Sequence, residues 1–130
     1  MSPSHWRPSE KGYREYEFQT WSYDPDTNVW TNRKPPSTPE PAYRHRFGLT
    51  YDSKNQVIIL IGGSSDTWDQ QEQNLTDVWI YDPAKNTWTA TDPAGPKPKG
   101  KQRECRQCAY DPNANVVLFL SETLWAYRYK

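Results

Sequence analysis

The sequence is short of the residues that carry redox and metal chemistry, with two cysteines and two histidines in 130 positions. A zinc site takes about four nitrogen or sulfur ligands. Cys105-Arg106-Gln107-Cys108 has no second cysteine pair to meet it, and only His5 and His45 besides. A thioredoxin-type dithiol opens a helix after a strand. This pair precedes a strand-like segment, so both thiols are expected to be structural, in or beside a strand. Net charge is absent too, with 16 basic against 16 acidic side chains, and no overall field draws the chain to nucleic acid or to an anionic membrane. The longest apolar run, Val57 to Ile61, is far below the ~20 residues that span a bilayer as a helix. Met1-Ser2-Pro3-Ser4-His5-Trp6 lacks the apolar stretch of a signal peptide, and none is expected on this chain itself. Gly-x-Ser-x-Gly, Walker and His-Glu-x-x-His motifs do not occur. Neither enzymatic activity nor a cofactor nor a metal is expected. The lone sequon Asn74-Leu75-Thr76 carries little without a secretory context.

Apolar residues make up only 34% of the chain, but aromatic residues reach 15%. Disorder is therefore not expected, and the core must be rich in rings. Those rings recur in order. Thr20-Trp21-Ser22-Tyr23-Asp24-Pro25 is answered by Val78-Trp79-Ile80-Tyr81-Asp82-Pro83 and by Leu124-Trp125-Ala126-Tyr127. The first two continue alike, Thr27-Asn28-Val29-Trp30-Thr31 matching Lys85-Asn86-Thr87-Trp88-Thr89. Tyr23 and Tyr81 lie 58 positions apart, and Tyr81 and Tyr127 lie 46 apart. Self-similarity at such a period marks a repeat architecture.

No helical 3.6-residue spacing persists along the chain, and the pattern reads as strands. Strands are expected at about 46–52, 56–61, 77–82 and 87–91, the first two joined by Asp52-Ser53-Lys54-Asn55 and the last two by Pro83-Ala84-Lys85-Asn86. Gly62-Gly63 is expected to close the second strand, and a long polar loop to run from Ser64 to Thr76. Val57-Ile58-Ile59-Leu60-Ile61, apolar at every position, fits a strand covered on both faces. At an offset of 59, Arg103–Asp111 lies under Arg44–Asp52 and Val116–Leu120 under Val57–Ile61. The segment from about Tyr16 to Asn32 supplies two strands and the C-terminal segment three. About nine strands in groups of two, four and three follow, all antiparallel.

Strand, Gly-Gly, polar loop, Tyr-Asp-Pro and Asn-x-Trp at a ~50-residue period resemble the Kelch repeat, one blade of a β-propeller. The nearest likeness is to bacterial Kelch domains of the galactose oxidase central-domain type. The resemblance implies an all-β fold, a partial Kelch-type propeller of four-stranded blades. Residues 1–15 form an N-terminal extension and residues 16–130 the propeller part: the end of one blade at 16–33, a complete blade at 44–91, and the first three strands of another at 103–130. It also implies framework roles for Gly62, Gly63, Tyr23, Trp30, Tyr81, Trp88 and Tyr127, with Tyr23, Trp30, Tyr81 and Trp88 packing between blades. Two or three blades do not close a ring of the usual four to eight. The chain is accordingly expected to be part of a longer propeller, or a homo-oligomer whose copies complete the ring. Galactose oxidase holds copper with histidine and tyrosine, and this chain has too few imidazoles to do so. The alternative to a non-catalytic module is a fragment of such an enzyme whose catalytic residues lie elsewhere.

Binding is expected on loops held by a rigid scaffold. In the stretch from Ser64 to Thr76, Trp68 stands among Asp66, Asp69 and Gln71, the mixture of ring face and hydrogen-bonding groups that suits a sugar. Arg44 and Arg46, with Arg103 and Arg106 in the matching copy, begin the innermost strands and could line an axial channel for an anionic ligand. Protein and glycan are the ligand classes expected, with no nucleic acid and no membrane. The basic, proline-broken connections Arg33-Lys34-Pro35-Pro36 and Gly95-Pro96-Lys97-Pro98-Lys99-Gly100-Lys101 would stiffen the crossings between blades.

Overall fold

The computed structural model describes residues 18–36, 39–65, 73–98 and 107–130, together with the backbone of 7–8 and 14–15. Among these there is no helix. A short pair, β1 (Arg7–Pro8) with β2 (Arg14–Glu15), precedes three antiparallel sheets. The first sheet holds β3 (Trp21–Asp24) and β4 (Val29–Asn32). The second is a meander of β5 (Gly48–Asp52), β6 (Val57–Ser65), β7 (Gln73–Asp82) and β8 (Thr87–Thr91). The third holds β9 (Gln107–Asp111), β10 (Val116–Leu120) and β11 (Leu124–Tyr127). The nine strands in groups of two, four and three are as the repeats require. The β1–β2 pair is additional, in a stretch whose sequence carries no strand pattern.

One turn design closes four of the hairpins. Asp24, Asp52, Asp82 and Asp111 each accept, through Oδ1, the backbone N–H groups two and three residues on, at 2.9–3.5 Å. The residue after each turn takes a left-handed φ: 57° at Asn28, 55° at Gln56, 55° at Asn86 and 52° at Asn115. Asparagine tolerates that region better than most side chains. It also gives its oxygen to the tyrosine five residues earlier, at 2.8 Å for Tyr23–Asn28, 2.6 Å for Tyr81–Asn86 and 2.9 Å for Tyr110–Asn115. Tyr-Asp-Pro-x-x-Asn is thus a single closed hydrogen-bonded unit. Gln56 is the exception, and Gln56→Asn is expected to raise stability by a few tenths of a kcal/mol, read as a small rise in Tm. An unchanged or lower Tm would show that φ at this position is not a source of strain.

The middle sheet is covered on both faces. Val57, Ile59, Ile61, Val78 and Ile80 pack on one side with Val117 and Phe119 of the third sheet. Leu60, Trp79, Tyr81 and Trp88 pack on the other, joined by Phe18, Phe47 and Ile58. Burying each such side chain contributes about 1.5–3 kcal/mol, which makes the sheet faces the main source of stability. Phe18 meets Trp88 edge-on at 5.5 Å, and Trp88 Nε1 donates to Thr20 Oγ1 at 2.8 Å. Asn86 Nδ2 donates to the Arg33 carbonyl at 2.8 Å. These contacts tie the first sheet to the second. On the far side, Cys108, Tyr110, Trp125 and Tyr127 of the third sheet pack against the cluster shared with the second.

Two expectations are corrected. Within the chain, Tyr23 and Trp30 do not pack between sheets. They stack on each other, ring centroids 5.0 Å apart, on an exposed face of the first sheet, whereas Tyr81 and Trp88, at the same 5.0 Å, are buried. Gly62-Gly63 does not close its strand either. β6 runs on to Ser65 and β7 begins at Gln73, so the connection between them is 66–72. The glycines, at φ 60° and 109°, form a bulge at which the register shifts between Ile61 and Gly63. A Cβ on Gly63 would lie 2.9 Å from the His45 carbonyl oxygen, because the chain entering β5 crosses there.

Candidate functional site

The bulge re-aims the side chains around it, as bulges do, and it brings Asp77 of β7 against Arg44. Arg44 Nη1 and Nη2 donate to the Asp77 carboxylate at 2.6 and 2.9 Å. Nη1 also reaches the Gly62 carbonyl at 3.1 Å, and Nε the Ala42 carbonyl at 3.1 Å. Asp77 further accepts Trp79 Nε1 at 2.6 Å. Burial by itself pushes the Asp77 carboxyl up. The hydrogen bonds from Arg44 and Trp79, with the Arg44 charge, outweigh it and hold the group below its ordinary value. The Arg44 side chain is 1% exposed. It is a clamp inside the sheet and is not presented to a ligand, which corrects the expectation that it begins a ligand-lined channel.

His45 forms an isolated bridge with Ser64, each N–H donating to the other's carbonyl at 2.9 and 2.8 Å. Arg46 follows with φ 56° and is half-buried. Trp68, Asp66, Asp69, Gln71, Arg103 and Arg106 lie outside the described residues, as does Cys105. β6 ends at Ser65 and β7 begins at Gln73, at the end of the middle sheet nearer the clamp.

Cys108 is half-buried against the cluster shared by the second and third sheets. Burial pushes its thiol up to about 11, so the reactive thiolate is scarce at neutral pH. In Cys105→Ser protein, Cys108 is expected to alkylate with iodoacetamide at pH 8 about a hundredfold more slowly than after denaturation. Similar rates in both states would show an accessible thiol.

Sequence reasoning missed the clefts where the sheets meet, among them one of about 680 Å³ lined by Phe47, Leu49, Leu118, Leu120 and Leu124, and two more. Of these two, the first, of about 500 Å³, lies between the second and third sheets and is lined by Phe119, Trp125, Tyr127, Tyr129, Lys97 and Arg128 among others. Lys97 is paired with Asp92 at 2.6 Å, and Arg128 donates to the Ala114 and Asn115 carbonyls at 3.0 and 3.2 Å. The indole of Trp125 is the odd member of its repeat. Trp21 donates to Gln19 at 3.0 Å and Trp79 to Asp77, each two residues back. Thr123 stands at the equivalent place, and Trp125 Nε1, buried, has no partner among the described residues. The second cleft, of about 510 Å³, lies beside Phe18, Trp21, Leu49, Leu60 and Tyr81, where the first and second sheets meet. Comparing the three Trp-x-Tyr copies position by position could have singled out Thr123, but not the clefts, which depend on how far apart the sheets stand.

Residues 45–91 match the family model of the Kelch motif. The match opens at the His45 bridge and closes on the last residue of β8, so it coincides with the middle sheet. It supports a Kelch-repeat protein. The middle sheet is then one blade, and the sheets on either side are its neighbours.

Proposed function

We propose that this chain is a non-catalytic binding or scaffold module built on Kelch-type propeller blades, whose ligand is a protein or a glycan. The observation that carries this reading is the Kelch match on a sheet covered on both faces by neighbouring sheets, the stacking of propeller blades. Blades locked by interlocking rings make a stiff base on which loops can hold a fixed shape. The segment 66–72, which connects β6 to β7, is the presenting element, with Trp68 as its ring platform. Within the Kelch class, the galactose oxidase central-domain likeness is the finer reading. The ring is completed by further copies of the chain or by the rest of a longer protein.

A glycan array probed with the wild-type protein and with Trp68→Ala tests the glycan arm. Loss of a wild-type signal in the variant is the expected result. Equal signals would remove Trp68 from the site, and a blank array for the wild type would leave protein as the ligand class.

A further inference from the structure

The repeats allow the two outer sheets to be compared with the middle one, position by position. Tyr81 and Trp88 of the middle blade are 4% and 6% exposed, whereas their counterparts Tyr23 and Trp30 are 44% and 56% exposed. At the opposite end, Ile61 and Val78 are 4% exposed each, whereas their counterparts Leu120 and Leu124 are 45% and 65% exposed. The same apolar positions are therefore retained at both ends without the cover they have in the middle. Large exposed apolar patches of this kind mark interaction surfaces.

The two bare faces are of opposite kind. In the middle blade, the face carrying Tyr81 and Trp88 is met by Phe18 and Thr20, which lead into the preceding sheet, and the face carrying Ile61 and Val78 is covered by the following sheet. At the junction of the second and third sheets, aliphatic Val57, Ile59 and Ile61 meet Phe119, Trp125 and Tyr127. An aliphatic face thus packs on one that carries rings. The first sheet bares a ringed face, and the third bares an aliphatic one on which Leu118 continues the row of Leu120 and Leu124.

We propose that these two faces are the halves of one interface, and that their partner is a second copy of this chain, docked head to tail. The aliphatic face of β9–β11 in one copy covers Tyr23 and Trp30 of the next, continuing the junction already present between the second and third sheets. Such an interface is heterologous: it closes into a ring when the rotation per copy closes, and otherwise grows. The inference rests on the scaffold reading above only in taking the ring to be completed by copies of the chain.

Light scattering on a concentration series, with the variants Trp30→Glu and Leu124→Glu, tests it. Both positions are exposed, so both variants should fold; Tyr23→Lys and Leu120→Lys serve as second choices if one does not. The wild type is expected to show at least twice the monomer mass. Each variant alone should be monomeric. An equimolar mixture should give a 1:1 dimer, because each variant retains the face the other lacks. Self-association of either variant alone would mean that like faces pair, and would overturn the head-to-tail arrangement. A folded wild-type monomer at hundreds of micromolar would overturn the proposal altogether while leaving the scaffold reading intact, since ligand capture by that monomer is measured separately.

Discussion

Asp77→Ala is expected to lower the unfolding free energy by about 3 kcal/mol, the lower end of the cost of removing one partner of a buried ion pair. The lower end applies because the two partners differ: the Arg44 side chain is 1% exposed and that of Asp77 38%. What remains in the variant is a buried guanidinium facing two carbonyls, those of Ala42 and Gly62, with no counter-charge. Trp79 Nε1 also loses its acceptor. For a chain of this length the loss corresponds to a fall in Tm of about 10 °C. Asp77→Asn keeps an acceptor but not the charge, and should lie between the variant and the wild type. Urea unfolding of the three proteins gives the ranking, and a loss below about 1 kcal/mol for Asp77→Ala would mean that water replaces the carboxylate.

The same pair predicts an acid limb. The Asp77 carboxyl is held below its ordinary value of 3.8 in the folded protein. A group depressed on folding contributes stability that is fully present above its unfolded value. That stability is lost as pH falls through the lower folded value. The wild type should therefore lose stability more steeply than Asp77→Asn below pH 3.8 and run parallel to it above.

Phe119→Ala is expected to cost about 3–5 kcal/mol, as for other buried phenylalanines. The ring of Phe119 is 1% exposed and sits in the cluster shared by the second and third sheets. It is seated there because Gly48 has no side chain: a Cβ at that position would lie 3.0 Å from two ring carbons and 2.9 Å from the Cβ of Cys108. Gly48→Ala should be destabilising in its own right, since the two blades would have to part. The two changes should not add, because removing the ring frees most of the space the methyl group needs. A double-mutant cycle by chemical unfolding measures this coupling, and strict additivity would show that Gly48 and Phe119 do not meet.

The fold was legible where the chain repeats itself. Tyr-Asp-Pro-x-x-Asn announced its turns, and the unbroken apolar run 57–61 announced a strand buried on both faces, because both signals are local. The bulge was not legible. Gly62-Gly63 reads as a terminator, and only the proximity of the chain at His45 turns it into a kink within a continuing strand. Arg44 read as a ligand group for a similar reason. Its partner Asp77 lies 33 residues on, in a stretch that looks like the end of a polar loop, and pairing across such a distance leaves no mark in either segment. Tyr23 and Trp30 matched their buried counterparts letter for letter. Their exposure belongs to what stands beside the sheet, which no property of the residues themselves encodes.

The double cover of the middle sheet has a kinetic consequence. The three sheets form a short row in which each touches only its neighbours, so opening propagates from the ends like a zipper. Backbone amides of β3–β4 and of β11 can exchange with solvent after a single junction parts, but those of β6 must wait for both. Native-state hydrogen exchange should accordingly be slowest in β6 and fall away to either side, and any partner that caps an end sheet should slow exchange throughout the row.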